Sequence, residues 1–223
     1  MKRSARRSKQ WVFFFGDGSA EGFRLGKDVL GGKGAGLAEM SRLGLPVPPG
    51  FTISTDVCRI FLQSGGKPPK GLDGEVDRAL ARLESAMGLT LGDRSRPLLL
   101  SVRSGAPVSM PGMMDTILNL GLNDEAVEGL ARTTGNRRFA YDSYRRLLQM
   151  YGEVVDGIDA HRFEQPLAEL KQERKAKHDV DLSGDDLAEL VETFKRIYEQ
   201  ETGDGFPQDA RAQIGRASCR ERV

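Results

Sequence analysis

The sequence predicts an α+β fold: an N-terminal subdomain mixing strands and helices, followed by an all-helical subdomain. Three observations predict it. Short β-prone runs alternate with helical periodicity as far as residue 122, and Gly and Pro clusters punctuate that stretch. Beyond Gly121 the apolar residues recur at helical spacing with no convincing strand. The chain has 223 residues, 39% hydrophobic and 29% charged, which is enough for one large or two small domains with a sizeable core and argues against wholesale disorder.

Trp11 to Phe15 reads as an opening strand closed by the turn Gly16-Asp17-Gly18. Gly31-Gly32-Lys33-Gly34 then feeds a helix over Ala35 to Leu43, where Leu37, Met40 and Leu43 share one face and Gly44 ends the pattern. Val47-Pro48-Pro49-Gly50 is a stiff bend into a second strand through Ser54. Asp73 to Met87 is helical through Val76, Leu80, Leu83 and Met87, and Leu98 to Val102 is an apolar strand ending in Arg103. In the helical half, Asn123 caps Asp124 to Thr133, and a helix covers Arg137 to Val155. A charged helix spans Phe163 to Lys177, and Ser183 with Asp186 forms a capping box ahead of Leu187, Leu190, Phe194 and Ile197.

The net charge of +1 conceals an acidic body. The first nine residues carry five basic residues and no acid, and the last ten carry three arginines and one glutamate, so setting both ends aside leaves a net charge of −6. That balance argues against a nucleic-acid partner, which calls for a basic stripe on the folded body. No apolar run reaches the length of a membrane span, so no membrane partner is expected either. Two cysteines, Cys58 and Cys219, are too few for a disulfide framework, and a reducing, cytoplasmic setting follows as the default. Residues 1–9 read as a solvated basic tail. Residues 214–223 spell the translation of a common sequencing adapter and are set aside from fold reasoning.

Two segments can carry chemistry. Gly31-Gly32-Lys33-Gly34 places a lysine among glycines at the mouth of a helix, where amide donors and the helix dipole favour an anion such as phosphate. It is not a Walker A loop, whose first glycine and hydroxyl residue would fall on Lys27 and Gly34, and a plain glycine-assisted helix entry fits it equally well. The second segment, Ser101 to Thr116, delivers Arg103 from a strand into a loop shaped by Pro107, Pro111, Gly105 and Gly112. A guanidinium donates in pairs to phosphate oxygens. Met110, Met113 and Met114 are adaptable apolar surface suited to a nucleotide ring or to core filling.

Four segments together, Leu30 to Met40, Pro46 to Ser54, Ser101 to Asp124 and Arg138 to Arg146, resemble the N-terminal region of the pyruvate, phosphate dikinase family. The loop Ser-Met-Pro-Gly-Met-Met-Asp-Thr, residues 109–116, is the most specific of the shared motifs, and the resemblance runs from Trp11 to about Gln213. It implies a partial ATP-grasp domain over residues 10–122, a helical subdomain over 123–208 and the start of a further ATP-grasp segment at 209–213. It also implies that Lys33 and Arg103 hold ATP phosphates and act in catalysis, that Met114 lines the nucleotide pocket and that Arg146 adds positive charge nearby. ATP and Mg2+ would be the cofactors, with ATP, phosphate and pyruvate as small-molecule substrates of a homodimeric enzyme.

The family's reaction gives AMP, diphosphate and phosphoenolpyruvate through a phosphohistidine. The carrier histidine and the metal-binding carboxylates are expected beyond Gln213, while His161 and His178 are expected at the surface, leaving the isolated chain inactive. Pro107 stands where the family pattern has a second arginine. A phosphoenolpyruvate synthase-like phosphotransferase and a free-standing nucleotide-binding module are the alternatives.

Overall fold

The computed structural model describes residues 9–16, 18–103 and 116–220, with side chains as far as 218. The described residues fall into two compact units, one ending at Met87 and the other taking 88–103 together with 116–220. Helices and strands are mixed, as expected of an α+β chain.

The first unit is built on β1 (Val12–Gly16), a run of five buried residues. It lies between β2 (Ser19–Ala20) and β3 (Gly50–Ile53) and is antiparallel to both, with Val12 opposite Ile53 and Phe15 opposite Ala20. Successive strand residues point to opposite faces, and a strand buried throughout must be covered on both. Phe13 packs with Leu30 and Ala38 of α1 (Gly26–Arg42). On the other side the Arg82 guanidinium of α3 (Leu72–Met87) stacks over Phe14 at 3.8 Å and pairs with Glu21 at 2.6 Å. Glu75, also on α3, accepts hydrogen bonds from the amides of Trp11 at 2.7 Å and Val12 at 2.9 Å, tying the helix to the strand's start. A helix that the periodicity did not reveal, α2 (Thr55–Gln63), begins at the Ser54 cap.

α1 starts nine residues earlier than its apolar spacing predicts, because Gly26 to Leu30 forms a first helical segment that joins the second across a kink at Gly31 (φ 68°, ψ 170°). Only glycine adopts that conformation cheaply. The helix ends in a Schellman motif: the Leu45 amide donates to Met40 O at 3.1 Å and the Gly44 amide to Ser41 O at 3.1 Å.

The second unit opens with β4 (Thr90–Leu91) and β5 (Pro97–Leu98), a short parallel pair, then β6 (Leu100–Arg103) and β7 (Thr116–Leu120), an antiparallel pair. The single apolar strand expected over Leu98 to Val102 is therefore divided at Leu99, its two parts serving different partners. Helices follow: α4 (Asp124–Thr134), α5 (Arg137–Tyr151), α6 (His161–Glu173), α7 (Gly184–Thr202) and α8 (Ala210–Arg220). α5 runs on as a π-helical turn, Gly152–Asp156. It packs against α4, α7 and β7. Tyr144, Tyr151 and Tyr198 meet Phe206 edge-on at centroid distances of 6.1, 5.3 and 5.4 Å, and Phe163 meets Phe194 at 5.0 Å.

Residues 88–103 and 116–120 go with the helices, and polar contacts join them. Buried Gln213 accepts from the Gly121 amide at 2.9 Å and donates to Leu122 O at 2.9 Å, while Arg132 and Thr133 of α4 donate to Arg94 O and Ser95 O. Residues 214–220, set aside on sequence grounds, continue α8. Ala210, Gln213, Ile214 and Ala217 form one buried stripe at helical spacing, which is what docking a helix requires whatever the origin of its codons.

The capping box expected at α7 is formed. The Ser183 amide donates to Asp186 Oδ2 at 2.9 Å, and the Asp186 amide donates back to Ser183 Oγ at 3.2 Å. The Ser183 hydroxyl first, then the Arg174 guanidinium, hold the Asp186 carboxyl down to about 2 from its ordinary 3.8. A carboxylate lowered in the folded state contributes its full stability above the ordinary value and loses it as pH falls through the folded one. Asp186→Asn should therefore cost about 1 kcal/mol at pH 7. The gap from the parent chain should close between about pH 4 and pH 2, as measured by urea unfolding followed by helical circular dichroism.

Candidate functional site

Lys33 sits two residues past the Gly31 kink, at the start of the second segment of α1. A residue at φ 68° and ψ 170° interrupts the helical ladder, so the turn that follows behaves as a fresh helix start with outward-facing amides. Close packing holds this turn in place: a Cβ on Gly34 would lie 2.7 Å from Thr52 Cγ2 of β3. The Lys33 side chain is half-buried and has no hydrogen bond or ion pair among the described residues.

Arg103 ends β6 opposite Thr116. Exposure alternates along β6, with Leu100 and Val102 half-buried and Ser101 and Arg103 exposed, so Arg103 is carried on the open face. It too has no ionic partner among the described residues. Met114 and Pro107 lie outside the described residues.

Arg146, on α5, is exposed and pairs with Asp142 one turn earlier at 3.1 Å. Its neighbour Arg145 does the opposite. That side chain is 4% exposed and pairs with Asp142 at 2.8 Å and with Asp179 at 2.9 Å. Lys171 also reaches Asp179, at 2.9 Å. Burial pushes the Asp179 carboxyl up, but the Lys171 hydrogen bond and the charges of Arg145, Lys171 and Arg146 outweigh it and the net shift is downward. Arg138 completes the cluster by donating to Leu182 O at 3.0 Å and Asp179 O at 2.7 Å. The sequence reading chose Arg146 and passed over Arg145. Part of the signal was there in the buried Leu148 and Gly152, three and seven residues on, which share residue 145's face at helical spacing.

Arg103 and Arg146 thus belong to the second unit, linked through β6, β7 and α5, whereas Lys33 belongs to the first. His161 and His178 are both exposed. Among the described residues, no group of three His, Cys, Asp or Glu side chains is placed to hold a metal ion, and no helix is long and apolar enough to cross a membrane.

Residues 27–86, which include Lys33, match the family model described as the pyruvate phosphate dikinase AMP/ATP-binding domain. Pyruvate, phosphate dikinase 1, chloroplastic, of Zea mays is 53% identical over 207 residues, 93% of this chain. By sequence, the chain is similar to one part of the pyruvate, phosphate dikinases. The dikinase of Flaveria trinervia is likewise 53% identical over 93% of the chain, and dikinase 1 of Arabidopsis thaliana is 53% identical over 91%. The chain spans about a fifth of the length of these dikinases, 22%, 22% and 21% respectively.

These relatives overturn the cytoplasmic expectation, since all three are named as chloroplastic. A low cysteine count reports on redox chemistry and cannot tell one reducing compartment from another.

The adjacent arginines make a testable pair in this dikinase-like chain. Arg145→Ala should destabilise it by about 2 kcal/mol, because it removes the buried guanidinium that bridges the half-buried carboxylates Asp142 and Asp179. Arg146→Ala should change stability by less than about 0.5 kcal/mol, as an exposed i,i+4 pair does. Urea midpoints of the two variants check both values.

Proposed function

We propose that this chain supplies part of the ATP-binding site of a pyruvate, phosphate dikinase, with an ATP-grasp fold in its N-terminal half. The complete protein would convert ATP, phosphate and pyruvate to AMP, diphosphate and phosphoenolpyruvate by way of a phosphohistidine, as a homodimer. The observation that carries this reading is that the segment matching the AMP/ATP-binding model holds, just past a glycine kink, a lysine with no ionic partner among the described residues. Lys33 and Arg103 would each bind ATP phosphates, Arg146 would add positive charge, and Met114 would face the nucleotide ring.

Cations held in place by a folded scaffold stabilise the charge that spreads over a transferring phosphoryl group without reorganising as it forms. Lys33 offers a compact ammonium, and Arg103 a planar fork that grips two oxygens at once. Magnesium, which bridges phosphate oxygens in such reactions, needs hard oxygen ligands. Among the described residues no group of three carboxylates or other ligating side chains is placed to hold it.

Residues 1–9 are read as a solvated tail, 209–213 as the start of a further ATP-grasp segment, and 214–223 as adapter-derived.

The chain should bind ATP with millimolar affinity, detected as amide shifts around Lys33 and Arg103 by nuclear magnetic resonance. Lys33→Ala and Arg103→Ala should each weaken binding about tenfold, as loss of a charge-assisted contact does. Incubation with ATP labelled at the β-phosphate should leave no stable label on the protein. Binding unaffected by either substitution, or stable label on the chain, would refute the reading.

A further inference from the structure

Asn119 has the left-handed conformation, φ 62°, inside strand β7. Such a conformation is uncommon away from glycine, and Asn is among the few residues that tolerate it. The pairing explains why it is there. Arg103 faces Thr116 and Val102 faces Ile117, but Leu100 faces Leu120, so one residue of β6 is matched by two of β7, Leu118 and Asn119. This is a β-bulge, a device that re-aims side chains.

Its consequence follows from the two-residue period of a strand. Without the bulge, a ladder anchored at Leu100 and Leu120 would put Arg103 opposite Ile117, which is fully buried. A ladder anchored at Arg103 and Thr116 would instead put Asn119 opposite Leu100 and turn Leu120, also fully buried, out of the core. The bulge alone lets Ile117 and Leu120 both face inward while Arg103 stays on the open face. The Asn119 amide adds a second tie, donating to Ser143 O of α5 at 3.3 Å, three residues before Arg146. The Asn119 backbone carbonyl accepts from the Leu122 amide at 3.2 Å and closes the turn that leads into α4.

We propose that Asn119 is a positioning residue for the phosphate-binding arginines: its bulge sets the register and face of Arg103, and its amide pins that strand to the part of α5 that carries Arg146. This rests on the reading of Arg103 and Arg146 as nucleotide-binding.

The test compares Asn119→Ala, which disfavours the left-handed backbone, with Asn119→Gly, which keeps it. In Asn119→Ala the cross-strand nuclear Overhauser contacts between residues 103 and 116 should be lost, and ATP should bind about tenfold more weakly, the scale of a displaced positioning group. Asn119→Gly should keep the contacts and bind within about threefold of the parent, having lost one neutral hydrogen bond. Rescue by glycine separates positioning from general damage to the fold. The 103–116 pairing retained in a folded Asn119→Ala, or lost without weakening ATP binding, would overturn the proposal. So would failure of Asn119→Gly to keep the pairing. If Arg103→Ala leaves ATP binding unchanged, the nucleotide-site reading fails instead, and the pairing in the two Asn119 variants still decides whether the bulge sets the register.

Discussion

Arg145 lies almost fully buried in the middle of α5, and a guanidinium in that position must be answered by carboxylates brought from elsewhere in the chain. Asp142 answers from the same helix and Asp179 from the loop between α6 and α7, with Lys171 closing the set from α6. One charge thereby ties together the turn after α6, the approach to α7 and the central helix. The desolvation cost of such a group means that the cluster serves arrangement more than net stability. Once α5 is held, the aromatic layer of Tyr144, Tyr151, Tyr198 and Phe206 has a fixed floor, and β7 has a surface to pack on.

The sequence made the helices legible because their caps are local. Asn123 accepts from the amides of Glu125 and Ala126, and Ser183 and Asp186 close on each other, so four or five consecutive residues contain the whole signal. The strands were less legible because their partners are distant. Nothing in Leu98 to Val102 says that Pro97 and Leu98 pair with residues 90 and 91 while Leu100 onward pairs with residues 116–120. The tie between the end of β7 and α8 was illegible for the same reason: it depends on Gln213, more than ninety residues along the chain from the carbonyl and amide it bonds. α2 was hidden by its short length and by the strand that runs directly into its cap.

In the candidate site, residue type was readable and residue environment was not. A lysine among glycines and an arginine at a strand end are residue types that phosphate chemistry uses, and the family match then covers the lysine. What composition could not reveal was the division of labour between Arg145 and Arg146. Neighbours on a helix point about 100° apart, so one can be a structural ion while the other meets solvent. Asn119 was equally silent, because a bulge is a mismatch between two strands and has no signature in either one alone.

The cations of the second unit differ in how fully their charge is already answered, and this separates scaffold from site. Arg137, Arg174 and Lys195 each hold two or more carboxylates. An incoming phosphate would have to compete with every one of them. Arg103 has no ionic partner among the described residues and would enter a phosphate contact without giving up another. Arg146 lies between these cases. It shares Asp142 with Arg145, and Asp142 keeps the buried guanidinium at 2.8 Å whichever way the exposed one turns. Redirecting Arg146 toward a phosphate would therefore leave no carboxylate unpaired, and the charge required at the surface is available because a second charge is held beneath it.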